Sequence, residues 1–153
     1  TTFFSMIYNM IYTSLGKRSH QVYQRKKLIY KFYIRDCNYI NEKKFYLECK
    51  DKVDFIPRLI YYSDKRRLII LRNEGKSLTK KQFAEIHNEV FDLYVKLYNI
   101  TGYFHNDLLY RNVLRTPDGS LMLIDFERTT KKYKSVSPQC LEMRDKIDKW
   151  FLL

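Results

Sequence analysis

Three features of the sequence predict an α+β fold. The first half contains short β-prone runs, such as "LIYKFYI" (28–34) and "RLIILRN" (67–73). Residues 80–99 repeat apolar side chains at intervals of three and four, which is typical of an amphipathic helix. The turn sequence "TPDGS" (116–120) separates two apolar stretches and predicts a hairpin.

The first half is expected to contain two hairpins and one helix. Residues 20–35 predict two strands around the charged turn "QRKK", and "RLIYYS" with "RLIILRN" predicts a hairpin around "DKR". A helix over 41–53 is expected between them, since Asn41 is a suitable N-cap residue and Pro57 stops the helix. Its predicted buried face comprises Phe45, Cys49 and Val53.

The second half begins with a loop, "EGKSLT" (74–79), in which Gly75 is the expected hinge. Thr79 then caps the long helix, and Gly102 ends it. A final amphipathic helix is predicted around 138–151. The apolar stripe of the long helix consists of Phe83, Ile86, Val90, Leu93 and Leu97.

Length and composition indicate one domain of 153 residues with enough apolar side chains, 45%, to form a core. The three cysteines are widely spaced, which favours a reducing, cytoplasmic compartment over a disulfide framework. No apolar run is long enough for a membrane span, and the opening segment "TTFFSMIYNMIYTSL" is interpreted as packing on the domain.

The formal net charge of +12 is compatible with nucleic acid, an anionic membrane or an anionic ligand. The lysines and arginines are dispersed, so each small basic group is interpreted first as solvated surface. A basic nucleic-acid-binding protein is kept as an alternative on the charge and the 14 tyrosines.

One segment combines residue types that suit phosphoryl transfer. Asp107 and Asn112 are five residues apart, and Asp125 follows Asp107 by 18 residues across the predicted hairpin. This arrangement can bring two carboxylates and an amide oxygen to one point, and Mg²⁺ prefers such oxygen ligands together with phosphate oxygens. Phosphoryl transfer mainly requires a metal ion, correct positioning of the reacting groups and a general base.

The same residues carry a resemblance. "HNDLLYRNVL" (105–114), followed by "LIDFE" (123–127), resembles the catalytic loop and metal-binding motif of the protein-kinase-like superfamily. The combination of "HND" with "DFE" resembles choline/ethanolamine kinases and aminoglycoside phosphotransferases more than typical Ser/Thr or Tyr kinases. It also resembles compact kinase-like proteins of fungi and large viruses. In this motif His105 is expected to pack within the loop, and His20 and His87 are assigned no role.

The resemblance implies a minimal two-lobed kinase-like fold that uses ATP and Mg²⁺. Its N-lobe would cover residues 1–72, and a truncated C-lobe would cover 76–153. The acceptor would be a protein Ser/Thr or a small alcohol. The resemblance implies that Asp107 is the base and that Asn112 and Asp125 are the metal ligands. Lys31 would bind the nucleotide phosphates, with Glu48 as its partner and Glu42 as the less favoured partner. Gly16 and Gly75 would lie at the nucleotide.

The motifs also depart from the superfamily pattern. After Gly16, the expected glycines of the phosphate loop are Arg18 and Gln21. Asn106 replaces the usual arginine, Glu127 replaces the usual glycine, and about one helix follows Glu127. These departures keep open a pseudokinase or a binding module without catalysis.

Overall fold

The computed structural model describes residues 20–73, 75–134 and 141–152 of the chain. The predictions for the opening segment and for Gly16 lie outside these residues. Within them the fold is α+β, as predicted, with two antiparallel sheets and helices packed against them.

The first sheet has four strands in the order β1-β2-β4-β3. Its two hairpins confirm the predicted strand pairs. Lys26 and Arg67 adopt positive φ angles of 55° and 49° in the two tight turns. The strands are β1 (His20–Arg25), β2 (Leu28–Tyr33), β3 (Arg58–Ser63) and β4 (Leu68–Arg72).

The central strands β2 and β4 present different side chains on the two faces of this sheet. Tyr30 and Ile70 belong to a small cluster on one face. Lys31 pairs in register with Ile69, so it shares the opposite face with residues of the main core. Its position on an inward face explains why this lysine is 4% exposed.

Helix α1 (Asp36–Cys49) begins and ends earlier than the predicted span of 41–53. Asp36 lies in its first turn, where a carboxylate interacts favourably with the helix dipole. The predicted capping role of Asn41 is therefore wrong, because this residue lies inside the helix. Val53 lies beyond the helix, and the buried face consists of Tyr39, Glu42, Phe45, Tyr46 and Cys49.

The second sheet contains three strands in the order β5-β6-β7. Gly119, with a φ of 88°, closes the "TPDGS" turn, and the Thr116 N–H donates to the Ser120 carbonyl at 2.9 Å. The predicted 74–79 loop includes a two-residue strand. The strands are β5 (Lys76–Ser77), β6 (Val113–Arg115) and β7 (Leu121–Leu123).

The long helix predicted over 80–99 is two helices, α2 (Lys80–Glu85) and α3 (His87–Thr101). Thr79 forms a capping box with Gln82, as expected from the cap prediction. The helix breaks at Ile86, whose φ is −115°, and the His87 ring donates to the Ala84 carbonyl at 2.8 Å. This carbonyl is therefore bound by a side chain at the break.

Helix α3 ends at Gly102 in the left-handed region, with a φ of 76°, as predicted. The last helix, α4 (Leu141–Leu152), packs on α3 through Trp150, whose ring lies 5.4 Å from that of Tyr98. A continuous apolar core connects both sheets with these helices.

The chain passes from the first sheet to the second at Gly75. A Cβ atom placed on Gly75 would lie 2.7 Å from the Leu114 Cβ and 3.4 Å from the Arg115 carbonyl oxygen. A side chain at this position therefore forces the crossing segment and β6 apart.

We expect Gly75→Ala to lower the free energy of unfolding by about 1–3 kcal/mol, the usual cost of overpacking. Urea denaturation of the variant and the wild type measures this difference. The matched control is Ser77→Ala on exposed β5, which should change stability by about 0.5 kcal/mol or less. Equal stability of the two variants would show that the close approach to Leu114 imposes no constraint.

Candidate active site

A buried lysine lies between two carboxylates at the centre of the molecule. The Lys31 ammonium donates to Glu42 at 2.6 Å and to Asp125 at 2.8 Å. Burial by itself lowers the pKa of Lys31, but the charges and hydrogen bonds of these two carboxylates outweigh it and raise the pKa above its usual value. Lys31 is therefore charged at neutral pH.

Glu42, not Glu48, pairs with Lys31, so the predicted partner is wrong. Glu42 is 0% exposed and also accepts hydrogen bonds from the Tyr33 hydroxyl and the Phe126 N–H. Glu48 is exposed and accepts a hydrogen bond from Tyr103.

The early start of α1 explains this difference. Tyr39, Glu42 and Phe45 recur at three-residue intervals, so all three lie on the buried face. The signal was available in the sequence as the spacing of Tyr39, Phe45 and Cys49, a face that includes position 42 and excludes position 48.

Asp125 occupies the left-handed region of backbone space, with a φ of 67°. Such a conformation is uncommon for residues other than glycine and is concentrated at functional sites. The neighbouring Phe126 is fully buried and stacks on Phe45 of α1 with a centroid distance of 4.1 Å. The helix thus anchors Phe126, and Phe126 in turn fixes the position of Asp125.

The segment before β6 positions Asp107 and Asn112. His105 is fully buried, its Nδ1 accepts from the Asp107 N–H at 3.2 Å, and its Nε2 donates to the Ile124 carbonyl at 2.7 Å. Burial lowers the pKa of His105, so it is a neutral structural residue, as expected. The Asn112 amide nitrogen donates to the Asp107 carbonyl at 2.7 Å.

Two asparagines hold the segment after Asp125, and neither role was predicted from the sequence. Asn41 on α1 donates to the Glu127 carbonyl at 2.7 Å and to the Thr129 carbonyl at 2.8 Å. Asn106, with a φ of 65°, donates to the Arg128 carbonyl at 3.1 Å and accepts from the Lys134 N–H at 3.0 Å. No local pattern reveals such bonds, because their partners are remote in sequence.

His20 on β1 also reaches this region, although it had been assigned no role. Its Nδ1 lies 3.0 Å from the Glu127 carboxylate. Burial alone raises the pKa of Glu127, but the hydrogen bond with His20 outweighs it and lowers the pKa. One side-chain nitrogen of His20 and one carboxylate oxygen each of Asp125 and Glu127 lie within 4.8 Å of one another. The first strand therefore contacts the segment that contains Asp125.

A cleft of about 1180 Å³ lies between the two sheets, and its lining includes His20, Lys31, Asp125 and Glu127. Of the predicted site residues, the cleft brings together Lys31, Gly75, Asp107, Asn112 and Asp125. Glu48 does not line it, and Gly16 lies outside the described residues. A second cavity of about 1030 Å³, between α3 and the 115–120 turn, contains none of the predicted site residues.

Comparison of the sequence with family models and with curated proteins finds no match. Solved structures do match. A structure of monomeric WbdD superposes with a TM-score of 0.64 at 17% identity, covering 93% of this chain and 40% of that one. A choline/ethanolamine kinase family protein from Mesorhizobium loti superposes with a TM-score of 0.53 at 14% identity, covering 75% of this chain and 57% of that one.

The chain has a protein-kinase-like fold. A further WbdD structure, named as a bifunctional kinase-methyltransferase, matches with a TM-score of 0.60 at 16% identity and covers 92% of this chain and 35% of that one. The chain thus spans between about a third and three-fifths of the length of these structures. In the part of the chain that the structure describes, no helix is both long and apolar enough to span a bilayer.

Within the protein-kinase-like fold, the oxygen atoms of Asn112 and Asp125 suit a hard divalent cation. Lys31 binds Oδ1 of Asp125, and no described residue donates a hydrogen bond to Oδ2. Asn112 uses its amide nitrogen on Asp107, which leaves its side-chain oxygen as a ligand atom. Burial by itself raises the pKa of Asp125, but the Lys31 charge outweighs it and keeps the carboxyl ionised.

The two glutamates of α1 provide a direct test of this geometry. Glu42→Gln removes one member of a buried ion pair and is expected to lower the free energy of unfolding by about 3 kcal/mol. Glu48→Gln perturbs one hydrogen bond to a tyrosine and is expected to cost about 1 kcal/mol or less. Urea denaturation measures both values, and a larger loss for Glu48→Gln would contradict the assignment of Glu42.

Proposed function

We propose that the chain is an ATP- and Mg²⁺-dependent phosphotransferase that moves the γ-phosphate of ATP to a hydroxyl group. The observation that carries this proposal is the position of Lys31 between Glu42 and Asp125, in one cleft with Asp107 and Asn112. The acceptor belongs to an alcohol or to a protein Ser/Thr.

The proposed roles follow the sequence prediction with one change. Lys31, held by Glu42 in place of Glu48, binds the nucleotide phosphates. Asn112 and Asp125 hold Mg²⁺, which neutralises phosphate charge when it is bound. Gly16 is proposed to lie in the phosphate loop and Gly75 at the adenine end of the cleft.

In the proposed reaction the acceptor oxygen forms a bond to the γ-phosphorus while the bond to the β,γ-bridging oxygen breaks, and ADP departs with that oxygen. The hydroxyl proton passes to the Asp107 carboxylate. Burial, followed by the charge of Asp125, raises the pKa of Asp107, against the opposing charges of Arg128 and Arg111. A raised pKa makes Asp107 a better proton acceptor than an exposed aspartate.

Two further assignments are part of this proposal. The division into an N-lobe of residues 1–72 and a C-lobe of residues 76–153 within one domain agrees with the position of the crossing at Gly75. An intracellular location agrees with the free thiols of Cys37 and Cys49.

Thermal melts with and without Mg-ATP test the proposal. At a hundredfold excess over its dissociation constant, Mg-ATP stabilises the folded state by about 2.7 kcal/mol, which corresponds to roughly 5–10 °C in Tm for a chain of this size. Asp125→Asn is expected to abolish this shift. Asp51→Asn, the same chemical change at an exposed position outside the cleft, should retain it.

A third variant separates binding from catalysis. Asp107→Asn is expected to keep the Mg-ATP shift and to lose phosphoryl transfer, because the proposed metal ligands remain. No shift of the wild type at millimolar Mg-ATP would refute the phosphotransferase and favour a pseudokinase or binding module.

A further inference from the structure

Three guanidinium groups in the cleft have no protein partner among the described residues. Arg35, Arg111 and Arg128 all line the cleft and are exposed. Their side chains form no hydrogen bond or ion pair with any residue of 20–73, 75–134 or 141–152. By contrast, the guanidinium group of Arg67, which lies outside the cleft, is 3.6 Å from the carboxylate of Asp36.

Two of the three carboxylates that line the cleft in the described part of the chain have partners of their own. Asp125 is paired with Lys31, and Glu127 is hydrogen-bonded to His20. Asp107 is the proposed base, and the charges of both Arg111 and Arg128 act on it. The charges of Asp125 and Glu127 also act on Asp107, but these two carboxylates have Lys31 and His20 as partners, whereas the Arg111 and Arg128 side chains have none among the described residues.

Arg111 and Arg128 reach the surroundings of Asp107 from different segments of the chain. Arg111 belongs to the short 3₁₀ helix Tyr110–Asn112, immediately before the proposed metal ligand Asn112. Arg128 follows Glu127 in the segment whose backbone is held by Asn41 and Asn106. The Asn112 amide donates to the Asp107 carbonyl, and the Asn106 amide donates to the Arg128 carbonyl, so both arginines belong to backbone that is held next to Asp107.

We propose that the acceptor is a small alcohol that also carries a phosphate or carboxylate group, and that Arg111 and Arg128 bind this anion beside Asp107. The inference rests on the proposed phosphotransferase and specifies the class of its acceptor. Guanidinium groups match the geometry of phosphate and carboxylate oxygens and bind them through paired hydrogen bonds.

The same charges disfavour a cationic acceptor. Choline, ethanolamine and aminoglycosides carry ammonium groups, which would approach the two exposed guanidinium groups. Juxtaposed like charges repel each other and disfavour the wrong partner. The acceptor class therefore differs from that suggested by the name of the structurally similar choline/ethanolamine kinase family protein.

Anion binding in the presence of a non-hydrolysable nucleotide tests this inference. The protein is saturated with Mg-AMPPNP, so that the γ-phosphate position is filled, and is melted during titration with inorganic phosphate at constant ionic strength. Acetate and tetramethylammonium are titrated in parallel. We expect phosphate or acetate to raise Tm saturably, by roughly 3–6 °C at a tenfold excess over its dissociation constant, and tetramethylammonium to have no effect.

Charge-matched variants identify the responsible residues. The double variant Arg111→Gln/Arg128→Gln should lose the anion-dependent shift and keep the Mg-AMPPNP shift, whereas Arg111→Lys/Arg128→Lys should retain part of it. Lys44→Gln/Lys65→Gln removes the same charge from exposed positions outside the cleft and should behave as wild type.

Each contrary result has a distinct meaning. An anion shift that disappears once Mg-AMPPNP is bound would assign the arginines to the nucleotide and overturn the inference. Saturable stabilisation by tetramethylammonium, or an anion shift that survives in the Gln double variant, would also overturn it. Absence of the Mg-AMPPNP shift itself would remove the proposed phosphotransferase, and the acceptor class would fall with it.

Discussion

The architecture of this protein depends on keeping one lysine charged in its interior. Lys31 is nearly inaccessible, and an isolated buried ammonium is costly. Glu42 on α1 and Asp125 after β7 compensate this cost, so strand β2, helix α1 and the segment after β7 must come together. The ion pairs thus connect the two sheets and create the electrostatic centre of the cleft.

The remaining features of the site maintain this arrangement. Phe126 packs under α1, and Asn41 of α1 and Asn106 bind the backbone after Asp125. Left-handed backbone at Asn106 and Asp125 would be unfavourable without such support, and these contacts provide it. The position of the proposed metal ligand Asp125 is therefore determined by neighbours on other elements.

Local patterns were enough to predict the strand pairs and the caps at Thr79 and Gly102. They also predicted the grouping of Asp107, Asn112 and Asp125. Spacing and turn chemistry carry this information. Local patterns failed at α1, where taking Asn41 as the cap shifted the helix and led to Glu48. The split at Ile86 and the long-range bonds of Asn41, Asn106 and His20 depend on tertiary partners that no local window contains.

The most direct test of the central claim is a double-mutant cycle between Lys31 and Asp125 on the free energy of unfolding. Lys31→Met, Asp125→Asn and the double variant are compared with wild type by urea denaturation. If this ion pair connects the two sheets, the two changes are non-additive, with a coupling of about 1–3 kcal/mol. Additivity to within about 0.5 kcal/mol would show that the two residues do not interact and would contradict the account.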